Sequence, residues 1–411
     1  FFRRLESDGQ RTLFDPDEVQ RIHGKRLENH RGAEFEEFYE QLENDDRLEL
    51  KQTYSAKEIF KKFLKTCVET GMPYAFFRDT ANKFNPNKHS GQVYSTQLCT
   101  EIIQNVEAPK FISEDDEGDA VSVKYTPGQM VVCNLASINV AKVNSQEKID
   151  EVIPVAMRIL DNVISLNFFP VKESEKTCQK YRPVGLGFLG LAEHLATSKI
   201  AYDSQDARSH TSKLFERYAF ATLKSSNQLA QERGHYPLFP GSDRSKGILM
   251  GKDKSRFSEN SEMADQRHEL IDDIQQHGTR FGYHMAPAPN TSTSLVVGTT
   301  AGLLPIYKKY FVESNSIAPS VNIAPNINQD NFRYYKEYVT LNMNDVIDLI
   351  ATVQPRIDQA ISFERMINPM EVTPRELYDY YLRARKSGLK TVYYVRSLSM
   401  EIKEDCASCS G

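Results

Sequence analysis

Between residues 147 and 167, apolar side chains fall at Ile149, Val152, Ile153, Ala156, Ile159, Leu160 and Val163, the spacing of an amphipathic α-helix. A second helical pattern covers roughly 205–233 and stops at Gly234, a residue suited to the turn after a helix. Shorter runs rich in β-formers stand around them: GQVYSTQLCTEIIQ from Gly91, GQMVVCNLASINV from Gly128 and LKTVYYV from Leu389. Strands separated by long helices need crossover connections. The expected fold class is therefore α/β with parallel strands.

The remaining segments fit this frame. A capping box from Ser55 to Glu58 opens a helix whose apolar stripe is Ile59, Phe60, Phe63, Leu64 and Cys67. Cys67 on that stripe reads as plain core. ISEDDEGDA reads as an exposed turn, and GILMGKDKSRFSENSEMADQRHE as a polar surface excursion. TSLVVGTTAGLLPIYKKYF is expected to be loop, strand and turn, with a helix after it at about 344–362. The last helix takes Thr373, Pro374 and Glu376 as cap, first and third positions, and stops near Gly388. EIKEDCASCSG lacks core residues and reads as a mobile tail. With no repeat and no earlier linker, the expected division is a domain over 1–396 and a tail over 397–411.

Charge and composition exclude several classes. A formal net charge of −5 leaves no basic footprint for nucleic acid. No apolar run approaches the roughly 18 residues of a membrane span, and the start, FFRRLESDGQ, does not read as a signal peptide. The six cysteines have no framework spacing, which favours a reducing, cytoplasmic setting. The chain opens on Phe1, as a processed chain or a piece of something longer does.

Several constellations carry chemistry. If GQVYSTQLCTEIIQ is a strand, Gln97, Cys99 and Glu101 share one face: an amide, a thiol and a carboxylate in a row. A thiol hydrolase would use such a pair, but its thiolate ordinarily has a histidine beside it, and none of the nine histidines stands in a partner motif. Cys406 and Cys409 form a C-x-x-C in the tail, open to readings as zinc knuckle, redox dithiol or accident. A structural zinc needs about four ligands, which no neighbouring motif supplies, so no metal site is assigned. A travelling dithiol suits thiol–disulfide exchange, which requires direct sulfur contact. Gly185, Gly187 and Gly190 match a dinucleotide fingerprint, yet no clear strand leads into them and they read as packing glycines. Asn290, Thr291, Ser292, Thr293 and Ser294 form a phosphate-binding turn or simply a loop. Tyr393 and Tyr394, on opposite faces of a strand, read as core.

Taken in order, LCTEI, CNLASINV, RPVGLGFLGLA, APNTSTS, TVYYV and CASC resemble the catalytic large subunit of class I ribonucleotide reductase along nearly the whole chain. The resemblance implies the second half of a ten-stranded α/β barrel with a central finger loop. Cys99 matches the cysteine at the loop tip, which becomes a thiyl radical and takes the 3′ hydrogen of the ribose. Glu101 matches the carboxylate that accepts the 3′-OH proton. Cys133 matches one of two cysteines that reduce the 2′ position and are oxidised to a disulfide. Cys406 and Cys409 match the pair that re-reduces it, served by thioredoxin or glutaredoxin. Tyr394 and then Tyr393 match the relay from the small subunit. Asn290, Thr291, Ser292 and Thr293 match the loop that holds the substrate diphosphate. The implied substrate is a ribonucleoside diphosphate and the product a DNA precursor. No cofactor is expected in this chain itself, because the radical comes from the metal centre of the small subunit. A dimer of large subunits is expected, in the cytoplasm.

Two departures bear on this reading. Gln97 stands where the family has an asparagine that bonds the ribose hydroxyls; it keeps the same donor and acceptor one methylene further out. The family also has an amino-terminal half before the segment resembling FFRRLESDG. That half carries the other active-site cysteine, the first barrel strands and the sites for ATP and dNTP effectors. Cys67 and Cys178 do not occupy the missing cysteine's motif. The expectation is a part that works only with its amino-terminal half. The rivals are a catalytically dead scaffold and a nicotinamide-dependent dehydrogenase built on GLGFLG.

Overall fold

The strand Gly185–Leu189 has every side chain buried, the signature of a parallel strand covered on both faces. It pairs in parallel with Leu135–Asn139, in the register Leu135↔Gly185 to Asn139↔Leu189. On its other side a parallel bridge joins Leu186 to Met285. The computed structural model in which these pairings are seen describes residues 1–249, 264–314 and 319–397. The chain divides into two compact units: Phe1–Tyr74 with Glu364–Leu382 and the segment from Tyr393 onward, and Ala75–Phe363 with Arg383–Val392.

In the larger unit the parallel run continues as single backbone bonds. The Gln359 N–H donates to Met285 (3.3 Å), Ala360 to Glu101 (2.9 Å) and Ser362 to Pro287 (3.0 Å). Around this run lie the long helices. Gln146–Leu166 and Gln205–Arg233 pack on each other, and the second also meets Met343–Val353 and Ala264–His277. Both long helices start on serine caps, Ser145 and Ser204, close to the bounds read from periodicity. The first buries Ile149, Ile153, Met157, Leu160 and Ile164. Ile159 and Val163, counted on the same stripe, are exposed instead. Asp161, fully buried on that helix, accepts from Arg182 (2.6 Å), Arg280 (2.8 Å) and Arg233 (2.8 Å), which ties three segments to one carboxylate.

The smaller unit joins Gln10–Phe14 to Lys51–Ser55 in an antiparallel pair, and Arg365–Ile367 to Val395–Ser397 in a parallel one. The helix Ala56–Thr70 begins at Ser55, but the Ser55 side chain makes no capping bond, so the box anticipated with Glu58 does not form. Cys67 is core as expected, its thiol donating to the Pro73 carbonyl at 3.2 Å. At Thr373 the box does form: the Glu376 carboxylate accepts from the Thr373 N–H at 2.7 Å, and the Glu376 N–H donates to Thr373 Oγ1 at 3.2 Å.

Other expectations change. ISEDDEGDA is the tip of an exposed antiparallel hairpin, Lys110–Asp116 with Val121–Thr126. TSLVV is helical, Thr291–Val297. The helix after it ends at Val353 in a single 3-10 turn, because Pro355 has no N–H to continue the ladder. Among the described residues the strands pair in two-stranded sheets and form no closed barrel. No helix there is long and apolar enough to cross a membrane. The tail with Cys406 and Cys409 lies outside the described residues, as does most of the expected surface excursion.

Candidate active site

The run from Gln97 to Glu101 is a tight turn, where a strand was expected. The Thr100 N–H donates to the Gln97 carbonyl (3.1 Å), and the Gln97 N–H to the Ile102 carbonyl (3.2 Å). Thr100 takes a left-handed conformation at φ 70°, costly for a β-branched residue. Extended alternation is lost there, so Cys99 and Glu101 do not form the row that strand geometry predicts. Leu98 is exposed at the tip, Cys99 is half-buried and Glu101 is buried. Gln97 helps close the turn: its side-chain Oε1 accepts from the Ile102 N–H at 3.1 Å. Its extra methylene serves the backbone and leaves the amide Nε2 as its remaining donor group.

Glu101 is held from the segment after Gln359. Its carbonyl accepts from Ala360, and its Oε2 accepts from Ser362 Oγ at 2.7 Å. The same Ser362 hydroxyl contacts the backbone carbonyl of Cys99. The sequence reading missed Ser362. The signal was a lone hydroxyl in the apolar run Ala360-Ile361-Ser362-Phe363.

Cys133 lies two residues before the strand Leu135–Asn139, outside any strand. It keeps surface open to solvent, yet the protein around its sulfur desolvates it. That desolvation, with the charges of Glu101 and Cys99, pushes the thiol up to about 11. Cys99, Glu101 and Cys133 therefore share one electrostatic environment.

Four residues beyond Cys133, Ser137 Oγ donates to Asn290 Oδ1 at 3.0 Å. Asn290 has φ 57°, and its amide also donates to Phe188 (3.2 Å) and Ala288 (3.1 Å). These bonds aim the start of Thr291–Val297, where Thr291, Ser292 and Thr293 are exposed. Ser137 was likewise not singled out from sequence.

The glycine trio explains how these segments come so close. A Cβ on Gly185 would stand 2.5 Å from Leu135 Cδ2 and 2.9 Å from Ile102 Cδ1. On Gly187 it would meet Ser137 Oγ at 3.0 Å, and on Gly190, at φ +85°, Thr299 Oγ1 at 2.6 Å. In a dinucleotide fingerprint the glycines follow the strand and leave room for a pyrophosphate. Here Gly185 and Gly187 lie inside the strand, against packed protein atoms.

In the other unit, Tyr393 and Tyr394 fall between two short strands, Thr391–Val392 and Val395–Ser397. Their rings do not point to opposite faces; the centroids are 4.2 Å apart. Tyr74, which sequence did not mark, meets both, at 4.7 Å and 5.0 Å.

Comparison with known proteins finds relatives along nearly the whole chain. A family model described as "Ribonucleotide reductase, barrel domain" matches residues 1–318 and 312–395. The chain is 36% identical to the ribonucleoside-diphosphate reductase subunit alpha of Synechocystis sp., over 100% of this chain and 53% of that protein. It is 36% identical to the subunit of the same name from Treponema pallidum, covering 97% of this chain and 47% of that one. For Helicobacter pylori the identity is 34%, over 98% and 56%. The chain spans about half the length of the curated relatives it matches. It belongs to the ribonucleotide reductase barrel-domain family.

Proposed function

We propose that this chain carries the radical and reducing chemistry of a class I ribonucleoside-diphosphate reductase large subunit, converting ribonucleoside diphosphates to 2′-deoxyribonucleoside diphosphates. The observation that supports the proposal is that Glu101 and Cys99 both act on the Cys133 thiol, four residues before the Ser137 that bonds to Asn290, within a chain of this family. Cys99 on its turn is the hydrogen-abstracting thiyl. Glu101, buried and held by Ser362, is the base for the 3′-hydroxyl. Gln97 contributes its amide N–H to the ribose hydroxyls. Cys133 is one of the two reducing thiols; its high titration keeps it protonated, and a thiol that delivers hydrogen must carry one. Thr291, Ser292 and Thr293, presented by Asn290 at a helix start, hold the diphosphate.

The remaining assignments rest on the family. Residues 1–396 form the second half of a ten-stranded barrel with Cys99 on its central finger loop, and 397–411 form a redox-active tail. Tyr394 and Tyr393 relay the radical from the metal centre of a small subunit; their ring contact supports a relay. Cys406 and Cys409 restore the active-site thiols and are themselves reduced by thioredoxin or glutaredoxin. The amino-terminal half found in the relatives supplies the second reducing cysteine and the ATP and dNTP effector sites. Two large subunits pair, and the enzyme works in the cytoplasm.

The test is turnover of a ribonucleoside diphosphate with the small subunit added. The chain alone is expected to be inactive, and the chain joined to its amino-terminal half active. Cys99→Ser abolishes turnover. Changing both tail cysteines to serine leaves about one turnover per subunit, relieved by a small-molecule dithiol. An inactive completed subunit overturns the function, and robust turnover by the chain alone overturns the requirement for the other half.

A further inference from the structure

Two arms lead into the Cys99 turn, and they are packed differently. From Glu101 to Asn105 every residue is buried; from Tyr94 to Cys99 none is. Ile102 anchors the outgoing arm. It is 0% exposed, and its Cδ1 lies where a Cβ on Gly185 would come within 2.9 Å. The Glu101 carbonyl beside it accepts from the Ala360 N–H at 2.9 Å. Cys99 stands on the other arm, so its place depends on what joins the two.

Gln97 makes that join. Its N–H donates to the Ile102 carbonyl at 3.2 Å. Residues that face each other in an antiparallel pair can exchange both backbone bonds, and the return bond here would run from the Ile102 N–H to the Gln97 carbonyl. That carbonyl has two lone pairs and already accepts twice, from the Thr100 N–H at 3.1 Å and from Thr96 Oγ1 at 2.9 Å. The Ile102 N–H goes instead to the Gln97 side chain, 3.1 Å from Oε1. The side chain thus stands in for a backbone carbonyl. An N–H needs an acceptor, so the amide is oriented, with its oxygen toward Ile102.

We infer that Gln97 is the positioning residue of Cys99, and that the length of its side chain clamps the loosely packed arm to the buried one. An asparagine carries the same amide one methylene closer to the backbone and falls short of Ile102. The clamp has strain to hold. Thr100, between Cys99 and Glu101, is left-handed at φ 70°, a conformation that a β-branched residue keeps only where its surroundings impose it. Gln97 bonds to Thr100 through its carbonyl and to Ile102 through its N–H and its side chain, which encloses that residue. Without the side-chain bond Thr100 relaxes, and Cys99, joined to it, moves with it. The bearing on turnover rests on Cys99 being the hydrogen-abstracting thiol.

Three variants separate the reach of the side chain from its chemistry. Gln97→Glu keeps an acceptor at the same reach and has no amide N–H. Gln97→Asn keeps the amide and loses the reach. Gln97→Asn with Thr100→Gly loses the reach and the strain together, because glycine adopts a positive φ freely. The first measurement uses the chain itself: amide hydrogen exchange at Ile102, followed by NMR on protein carrying isotope-labelled isoleucine, with Ile102→Val identifying the signal. Exchange is expected to be about tenfold faster in Gln97→Asn and close to wild type in Gln97→Glu. Wild-type exchange in Gln97→Asn overturns the clamp, and so does equal acceleration in both variants. The second measurement uses the completed subunit with its small subunit. Gln97→Asn is expected to lower kcat about tenfold or more with KM nearly unchanged, and the added Thr100→Gly to recover most of that loss. Gln97→Glu raises KM instead, because it keeps the turn and lacks the donor. An unaltered kcat in Gln97→Asn, or a loss that Thr100→Gly leaves as it was, overturns the positioning of Cys99. A completed wild-type subunit without turnover overturns the functional reading instead, and exchange at Ile102 still decides the clamp.

Discussion

Arg244 donates from Nη2 to Asp358 Oδ2 across 2.6 Å, and the two residues are only 2% and 4% exposed. Asp358 also accepts the backbone N–H groups of His284 and Met285, each at 2.8 Å, and so joins the segment before Gln359 to the parallel run. Burial opposes ionisation of Asp358, but its donors prevail and hold it well below the usual carboxylate range. Removing one partner strands the other in the core. Asp358→Asn or Arg244→Met is expected to cost about 3–5 kcal/mol, read from urea denaturation, with the double variant losing less than the sum.

His194 and His210 face each other Nε2 to Nε2 at 2.8 Å, with Asn144 at His194 Nδ1. One ring donates and the other accepts, which leaves no place for a second proton between them. Burial, then the neighbouring His210, pushes His194 down to about 4. Burial and Arg217 lower His210 as well. Both folded values lie below the unfolded value near 6.5, so the unfolded chain binds more protons in acid. Their contribution is full above about pH 6.5 and is lost as the pH falls toward 4. For His194 the loss is roughly 3 kcal/mol. Denaturation midpoints measured between these pH values should fall less steeply in His194→Gln than in the wild type.

Gly185 and Gly190 test the packing role of the trio. Gly185→Ala forces a Cβ to within 2.5 Å of Leu135 Cδ2 and 2.9 Å of Ile102 Cδ1. Overpacking of this kind costs about 1–3 kcal/mol. Gly190→Ala adds an unfavourable φ of +85° to a 2.6 Å contact with Thr299 Oγ1 and should cost at least as much. Thermal denaturation reads both. A fluorescence titration with a nicotinamide cofactor should show no saturable binding to the wild type.

Cys133 gives a chemical readout of the site. Only the thiolate is alkylated, and burial first, then Glu101 and Cys99, push this thiol up to about 11. Its reaction with iodoacetamide, followed by mass spectrometry, should rise through the alkaline range toward that value. Glu101→Gln removes the second cause and leaves the first, so the midpoint should fall by part of the shift only. A midpoint indifferent to Glu101→Gln would show that the two side chains do not act on each other.

Much of this protein was legible along the chain, because helix formation is local. The spacing of Ile149, Ile153 and Leu160 and the box at Thr373 to Glu376 state their elements within a few residues. The ordered motifs around Cys99, Cys133, Asn290 and Tyr393 likewise named the family and the candidate residues. Tertiary structure alone decided how those residues meet. The β-rich composition near Cys99 suggests a strand, but Thr100 turns left-handed and makes a closed turn, which propensity does not encode. Ser362, Ser137 and Tyr74 stand far along the chain from most of the groups they touch, so no local spacing reveals them. Three glycines that match a nucleotide motif but read as packing residues are indeed the space in which the Cys99 turn, the Leu135 strand and the Asn290 turn approach one another. Long-range packing sets that space, and only the folded chain contains it.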